Sequence, residues 1–407
     1  MIAWIEGGEC PVLMKLAAWA IRLVYGVCSR FPQQRKIVFL SRQAARPFDF
    51  SLIEPELKRR FPRYAIVWVC VPKIGSLGAL MLLKQVWHVA TAELCLVDGY
   101  IPAVSIPERH RAFVVQMWHA PGAIKKFGYQ SLDTLAGRTS SMARVMRMHR
   151  GYDIVIAGMP GAVEAFSEAF DVPRERIAPL GLPRIDYLCS PEFSELRDQR
   201  FAKVRERAEG SFAATAHRGA YEKHQTTVLY APTFRKGEAD PRWLEHAVKD
   251  LLQALHGTES RLIVAGHPLD SVTFDLRESD VPVAFTQGVP TIDVLPMADF
   301  VATDYSTVAF EAGYAGKRVL FYVPDIEEYR LSPGLNIDPL LELPTIASAN
   351  ADDVARVVRG ERDYDIRAFQ AFMDAHARGV YEGSIDRICA LLQDSMSAKR
   401  LNTEDRL

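Results

Sequence analysis

Two histidine-bearing segments stand where apolar runs end. One is Gln116-Met117-Trp118-His119-Ala120-Pro121, followed by Lys125-Lys126-Phe127-Gly128. The other is Val264-Ala265-Gly266-His267-Pro268. A third segment, Thr303-Asp304-Tyr305-Ser306-Thr307, opens a helical stretch after another apolar run. An imidazole titrates near neutrality, so His119 can orient or deprotonate a hydroxyl nucleophile; a buried histidine bonded to backbone is the competing reading. His267 suits donation to a phosphate and stabilisation of charge on a leaving group, against a plain loop histidine. Together with a helix start that favours anions, these residue types fit a phosphorylated substrate.

The neighbouring residues extend both groups. Lys125 and Lys126, beside the Gly128 turn, can hold an anionic acceptor, and Trp118 is placed with them on the acceptor side. Pro232-Thr233-Phe234-Arg235 follows an apolar run, so Arg235 can meet a pyrophosphate oxygen and Thr233 can add a hydroxyl donor; a surface turn is the alternative. Ser306 or Thr307 can cap the helix and leave first-turn N–H groups for phosphate. Asp304 would repel a phosphate if it pointed inward, so it is read as fixing the turn or holding another residue of the nucleotide site. Glu311, one turn further on, can meet sugar hydroxyls, and Pro268 shapes the loop beside His267. Asp98, at the end of Glu93–Val97, is a further candidate for assisting the acceptor.

These residues need strands to carry them. Lys36–Ser41, Tyr64–Val71, Glu93–Val97, Arg111–Met117 and Tyr152–Ala157 read as buried strands, with a helix over Ser76–Trp87. A second series comprises Thr227–Ala231, Arg261–Ala265, Val281–Phe285, Ala298–Thr303 and Arg318–Tyr322. Helices are expected at Pro241–Leu255, Ser306–Tyr314, Ala349–Arg359, Ile366–Phe372 and Ser384–Gln393. Short apolar runs alternating with helical stretches mean βα units and mostly parallel sheets. The expected class is therefore α/β, with two Rossmann-like domains facing a central cleft and substrate at the carboxyl ends of their strands. The expected divisions are an N-terminal helix within 1–30, an acceptor-side domain at 31–205, a linker or surface loop at 206–226, a nucleotide-donor domain at 227–377, and a helix and tail at 378–407 that can reach back to the first domain.

Composition narrows the class. The chain has 407 residues, 49% of them hydrophobic, enough for two cores. Its net charge of -1 lacks the basic excess of a general nucleic-acid binder. The six cysteines form no Cys-x-x-Cys pair, and a reducing cytosol suits them. No histidine pattern gives spaced metal ligands, so no metal site is assigned; no cofactor is required, and a divalent cation stays optional beside the positive side chains. No G-x-G-x-x-G follows the first strand and no P-loop pattern occurs, which argues against a dehydrogenase or a P-loop kinase. Pro11–Cys28 is apolar but carries Lys15 and Arg22. It reads as a helix lying in a membrane surface, a helix packed on the first domain, or a spanning segment.

Five motifs in this order resemble the CDP-glycerol glycerophosphotransferase family, the teichoic-acid primases and polymerases with related capsule enzymes. They are Gln116–His119, Lys125–Gly128, Tyr230–Arg235, Gly266–Pro268 and Thr303–Thr307, and the later stretch from Gly316 to Asp325 also matches. The resemblance covers roughly residues 35–390 and implies a glycosyltransferase-B-like pair of domains. It implies attack by an acceptor hydroxyl on the glycerol-bearing phosphate of CDP-glycerol, with release of CMP. The family's two important histidines match His119 and His267, and its phosphate-binding loop matches Ser306 and Thr307. The implied acceptor is lipid-linked or a glycan, and the implied place is the cytoplasmic face of the cell membrane, peripherally bound. The chain departs from the pattern at Ala120, at Arg42–Arg46 and at Arg330–Gly334, which bears on the acceptor and on the donor's alcohol. The rival readings are a CDP-ribitol or other polyol-phosphate transferase, a nucleotide-sugar glycosyltransferase and a non-catalytic membrane-associated binding protein. Oligomeric state is not legible.

Overall fold

The fold is taken from a computed structural model that describes residues 11–71, 78–195, 199, 226–235, 242–265, 280–286 and 289–404. The chain divides into two compact units. The first takes the residues up to Gly122, Phe127–Asp186 and the stretch from Val380; the second takes Ala123–Lys126 and Tyr187–Gly379. The passage between them therefore falls at Asp186/Tyr187, earlier than the expected end at 205, and four residues after the fourth strand belong to the second unit. The expected linker 206–226 lies outside the described residues except for Thr226, which already starts a strand.

The first unit is a six-stranded parallel sheet. Its strands are β1 (Gln34–Ser41), β2 (Ala65–Cys70), β3 (Ala92–Val97), β4 (Phe113–Met117), β5 (Ile154–Ile156) and β6 (Ile177–Ala178). Their order is β2-β1-β3-β4-β5-β6. The inner strands β3 and β4 are apolar runs because helices cover both faces of such a sheet. Helix α1 (Pro11–Cys28) packs on α3 (Gly78–Thr91) and α4 (Ser140–Val145) through Met14, Ala18, Ile21 and Tyr25. That spacing repeats once per turn or two and places one stripe against the unit. Among the described residues no helix is long and apolar enough to cross a membrane.

The last helix, α8 (Ser384–Glu404), belongs to this first unit and packs on α2 (Phe48–Arg60). The carboxylate of Asp186 accepts from the N–H groups of Ser384 (2.8 Å) and Ile385 (2.9 Å), satisfying two donors at the helix start.

The second unit has its own six-stranded parallel sheet: β7 (Thr226–Ala231), β8 (Ser260–Val264), β9 (Val283–Phe285), β10 (Phe300–Thr303), β11 (Arg318–Tyr322) and β12 (Ala347–Ser348). Their order is β12-β11-β10-β7-β8-β9. In both sheets the chain builds outward in one direction, then returns to the first strand and builds the other way. The reversal lies between β1 and β3 in the first unit and between β7 and β10 in the second. Diverging connections leave a crevice beyond the carboxyl ends of those strand pairs, the usual place for a ligand in an open α/β sheet.

Candidate active site

The first unit's reversal point is occupied by side chains that can move a proton. Ser41 ends β1 and Asp98 follows β3, its neighbour in the sheet. Ser41 Oγ donates to Asp98 Oδ2 at 2.7 Å, and Gln43 N donates to Ser41 Oγ at 3.0 Å. Asp98 is only 7% exposed. Burial pushes its carboxyl up from the ordinary 3.8 to about 6, while the Ser41 hydroxyl pulls it back down.

His119 comes from β4, the next strand over, and lies exposed. Its Nδ1 sits 3.1 Å from the backbone oxygen of Asp98. A carbonyl oxygen only accepts, so Nδ1 carries the proton and Nε2 is the basic nitrogen of the neutral ring. This is the tautomer that a general base needs when its outer nitrogen faces a hydroxyl.

The loop under His119 is stiff. The Trp118 ring lies 4.2 Å from that of His119, stacks on Phe127 at 5.2 Å and meets Phe170 edge-on at 5.2 Å. Behind them sits His149, buried, its protonation pushed down to about 3 by burial, so that the cluster stays neutral near pH 7. Gly128 has φ +59, and a Cβ there would stand 2.2 Å from the Ala169 oxygen, so only glycine fits. Trp118, expected to bind the acceptor, is half-buried among these rings.

The second unit's reversal point is a buried charge cluster. Asp304 follows β10 and is fully buried. It accepts from Thr233 N (2.8 Å), Thr233 Oγ1 (2.6 Å) and Tyr305 N (2.6 Å). Arg235 reaches it at 2.8 Å and reaches Asp325 beyond β11 through Nε at 2.8 Å. The guanidinium lies over the rings of Trp243, Tyr329 and Tyr305 at 4.4, 4.6 and 5.1 Å. Tyr305 stacks on Tyr329 at 3.8 Å and donates its hydroxyl to Asp325 at 3.0 Å. The two carboxylates hold the Arg235 charge firmly against its desolvation.

Two of the expected phosphate-side residues are engaged inside this cluster. The side chain of Arg235 is 1% exposed, with its fork on Asp304 and Asp325. Thr233 likewise gives its hydroxyl to Asp304. Lys125, expected on the acceptor side, belongs to the second unit. It pairs in an antiparallel bridge with Leu335, and its carbonyl accepts from Asn336 Nδ2 at 3.2 Å. Burial lowers its ammonium's proton affinity, while Asp304 raises it and Arg235 lowers it. Lys126 N donates to Gly334 O at 2.9 Å in the same pairing.

Ser306 and Thr307 precede α7 (Val308–Tyr314) and are half-exposed. Ser306 Oγ accepts from Val308 N at 3.4 Å. Glu311 is buried one turn into the helix. His267 and Pro268 lie outside the described residues. Among the described residues no group of three or more His, Cys, Asp or Glu is arranged to hold a metal ion.

A family model described as CDP-Glycerol:Poly(glycerophosphate) glycerophosphotransferase matches residues 23–393. The chain belongs to this glycerophosphotransferase family. It is 28% identical over 337 residues to the teichoic acid ribitol-phosphate primase of Bacillus spizizenii, covering 80% of this chain and 81% of that one. It is 27% identical over 281 residues to the teichoic acid glycerol-phosphate primase of the same organism, covering 69% and 67%. In fold it is similar to the wall teichoic acid polymerase TagF, with a TM-score of 0.68 at 17% identity over 96% of this chain and 98% of that one. The fold is thus glycosyltransferase-B-like, as expected, and the chain is an enzyme of the glycerophosphotransferase family.

Within this glycerophosphotransferase the structure adds residues that the sequence did not single out. Ser41 became visible only when β1 was placed beside β3. Asp325, Tyr329 and Trp243 became visible only as partners of Arg235. A serine or aspartate at the end of a predicted strand was the one available signal.

The Asp98 carboxyl has a measurable consequence. Its folded pKa is raised, so between about pH 4 and about pH 6 the folded chain keeps a proton that the unfolded chain releases. Stability contributed by Asp98 therefore falls as pH rises through that window. Asp98→Asn removes this cost and still accepts from Ser41. The variant is expected to gain up to about 3 kcal/mol over wild type at about pH 8, with the gain vanishing near pH 4. Paired thermal melts at the two pH values check it.

Proposed function

We propose that this enzyme transfers a polyol phosphate, in the first instance glycerol phosphate, from the CDP-polyol to a hydroxyl of a lipid-linked or glycan acceptor, releasing CMP. The observation that carries the reading is His119, whose Nδ1 donates to the Asp98 carbonyl, the tautomer in which Nε2 is the basic nitrogen. In the proposed step Nε2 takes the acceptor's hydroxyl proton. The acceptor oxygen bonds to the phosphorus that carries the polyol, the bond from that phosphorus to the bridging oxygen breaks, and CMP leaves with the electron pair.

The second unit holds the donor. Ser306 and Thr307 offer hydroxyls to its phosphates, Lys125 offers positive charge, and His267 donates to the leaving phosphate. The Arg235–Asp304–Asp325 cluster keeps the loops after β7, β10 and β11 in one arrangement. Such sites act mainly through alignment and charge stabilisation.

A CDP-ribitol donor is the second reading, supported by the 28% identity to a ribitol-phosphate primase over most of both chains. The test is CMP release by the wild-type protein and by His119→Ala and His267→Ala, with CDP-glycerol, CDP-ribitol and nucleotide-sugar donors and membrane extract as acceptor. CMP released from CDP-glycerol, and lost in both variants, is the expected result. Release from CDP-ribitol alone would move the assignment to ribitol phosphate. Turnover of a nucleotide sugar, or of no donor, would overturn the proposal.

A further inference from the structure

His149 is a histidine that the transfer reaction does not use, and its backbone is strained. It follows α4 and is 4% exposed. Its φ is +56, and Arg147, two residues earlier, has φ +51. Left-handed backbone is uncommon outside glycine and persists where surrounding contacts enforce it. Those contacts are present. Tyr100 Oη donates to Met146 O at 2.8 Å, Tyr129 Oη donates to Met148 O at 2.9 Å, and Arg147 Nε donates to Ser105 O at 3.2 Å. The turn sends the imidazole into the rings of the first unit. It lies 4.8 Å from Phe170, 5.9 Å from Tyr100 and 6.1 Å from Trp118, all in edge-on contact.

The buried ring thereby reaches both supports of His119. One is Trp118, whose ring lies 4.2 Å from that of His119. The other is the turn Asp98-Gly99-Tyr100, whose first carbonyl accepts from His119 Nδ1. The second carbonyl of that turn, Gly99 O, accepts from Tyr152 Oη at 3.4 Å. Tyr152 is buried, and its Oη lies 3.2 Å from His149 Nδ1. The single hydroxyl proton goes to Gly99, so His149 Nδ1 is the donor to the Tyr152 oxygen. A neutral imidazole has one N–H to give, and burial keeps His149 neutral. The two bonds are long, yet both groups are buried, and leaving either without a partner costs about 1–3 kcal/mol. The chain from His149 through Tyr152 to Gly99 O thus ends one peptide away from the carbonyl that holds His119.

Which nitrogen of an imidazole carries the proton is set by the hydrogen bond that the ring makes. His119 is exposed, so its tautomer depends on where the Asp98 carbonyl stands. We propose that His149 and Tyr152 are positioning residues for His119. They fix the Gly99 carbonyl, and with it the neighbouring Asp98 carbonyl, so that the exposed ring keeps its proton on Nδ1 and Nε2 stays basic. The role in turnover rests on His119 being the base of the transfer reaction; the role in the tautomer does not.

Nitrogen-15 NMR of histidine-labelled protein reads the tautomer directly, and the spectrum of His119→Ala identifies the His119 signals. The wild-type ring is expected to carry its proton on Nδ1. Tyr152→Phe keeps the ring and removes the hydroxyl, and is expected to move a substantial share of the His119 proton to Nε2. In the same variant kcat for CMP release is expected to fall at least about tenfold with KM for the CDP-polyol unchanged, as for a group that acts through the base. His149→Phe, which has a ring but no N–H, is expected to do the same. His149→Asn is expected to keep the wild-type tautomer, because asparagine tolerates left-handed backbone and offers an N–H to Tyr152. Thermal melts establish that each variant is folded, and Tyr152→Phe carries the test if His149→Phe is not. An unchanged tautomer in folded Tyr152→Phe overturns the proposal, as does a wild-type ring protonated on Nε2 or a loss confined to KM. A tautomer change that leaves kcat unaltered supports the positioning and overturns His119 as the base, so the two readings fail separately.

Discussion

His119→Ala is expected to lower kcat for CMP release by about 10²–10⁴-fold, the range for loss of a positioned general base. Its melting temperature is expected to stay close to wild type. The ring is exposed, and surface substitutions of this kind shift stability by no more than about 0.5 kcal/mol. His119→Asn separates the two jobs of the ring. Asparagine can still offer an N–H toward the Asp98 carbonyl, but it supplies no base. If the ring only pinned its loop, asparagine would restore turnover; the expectation is that it fails as badly as alanine. Steady-state kinetics over a pH series completes the test, since the acid limb of the wild-type kcat/KM profile is expected to disappear in both variants.

The second large effect is on stability. Arg235→Ala is expected to destabilise the second unit by about 3–5 kcal/mol, because it leaves Asp304 buried without its cation. For a unit of this size that is a fall in melting temperature of roughly 10 °C. Arg235→Lys is expected to recover little. A lysine ammonium cannot divide a planar fork between two carboxylates, nor lie flat against the rings of Trp243, Tyr305 and Tyr329. Calorimetry of the two variants against wild type decides the matter. An unchanged melt would show that the cluster is not what holds the three strand-end loops.

These two residues show how differently the sequence speaks about its own parts. His119 was legible because a histidine after an apolar run, followed by Pro121 and Gly122, announces a strand end and a turn. Arg235 was legible as a strand-end residue too, yet its carboxylate partners were not. A guanidinium at the end of β7 points toward a phosphate or toward a carboxylate according to what the neighbouring strand presents, and that neighbour is β10, far away in the chain. The place of Lys125 in the second unit was hidden for the same reason. Its segment follows a first-unit strand, but its backbone pairs with Leu335 and Asn336. The strands β6 and β12 escaped notice because two residues are too few to show any period.

The alternation of apolar runs with helical stretches determined that the chain would form βα units, and the residues closing each run determined which side chains would stand at the strand ends. Both are local properties, written in periods of two and of 3.6 and in the placing of Pro and Gly. Which strand ends become neighbours depends on the order of strands in each sheet. That order came from the packing of whole helices and brought Ser41 to Asp98, the Asp98 carbonyl to His119, and Arg235 to Asp304 and Asp325. Burial then set the state of each group: it raised the proton affinity of Asp98 and shut Arg235 in between Asp304 and Asp325. Burial is a property of all the surrounding chain at once, so no short stretch of sequence contains it.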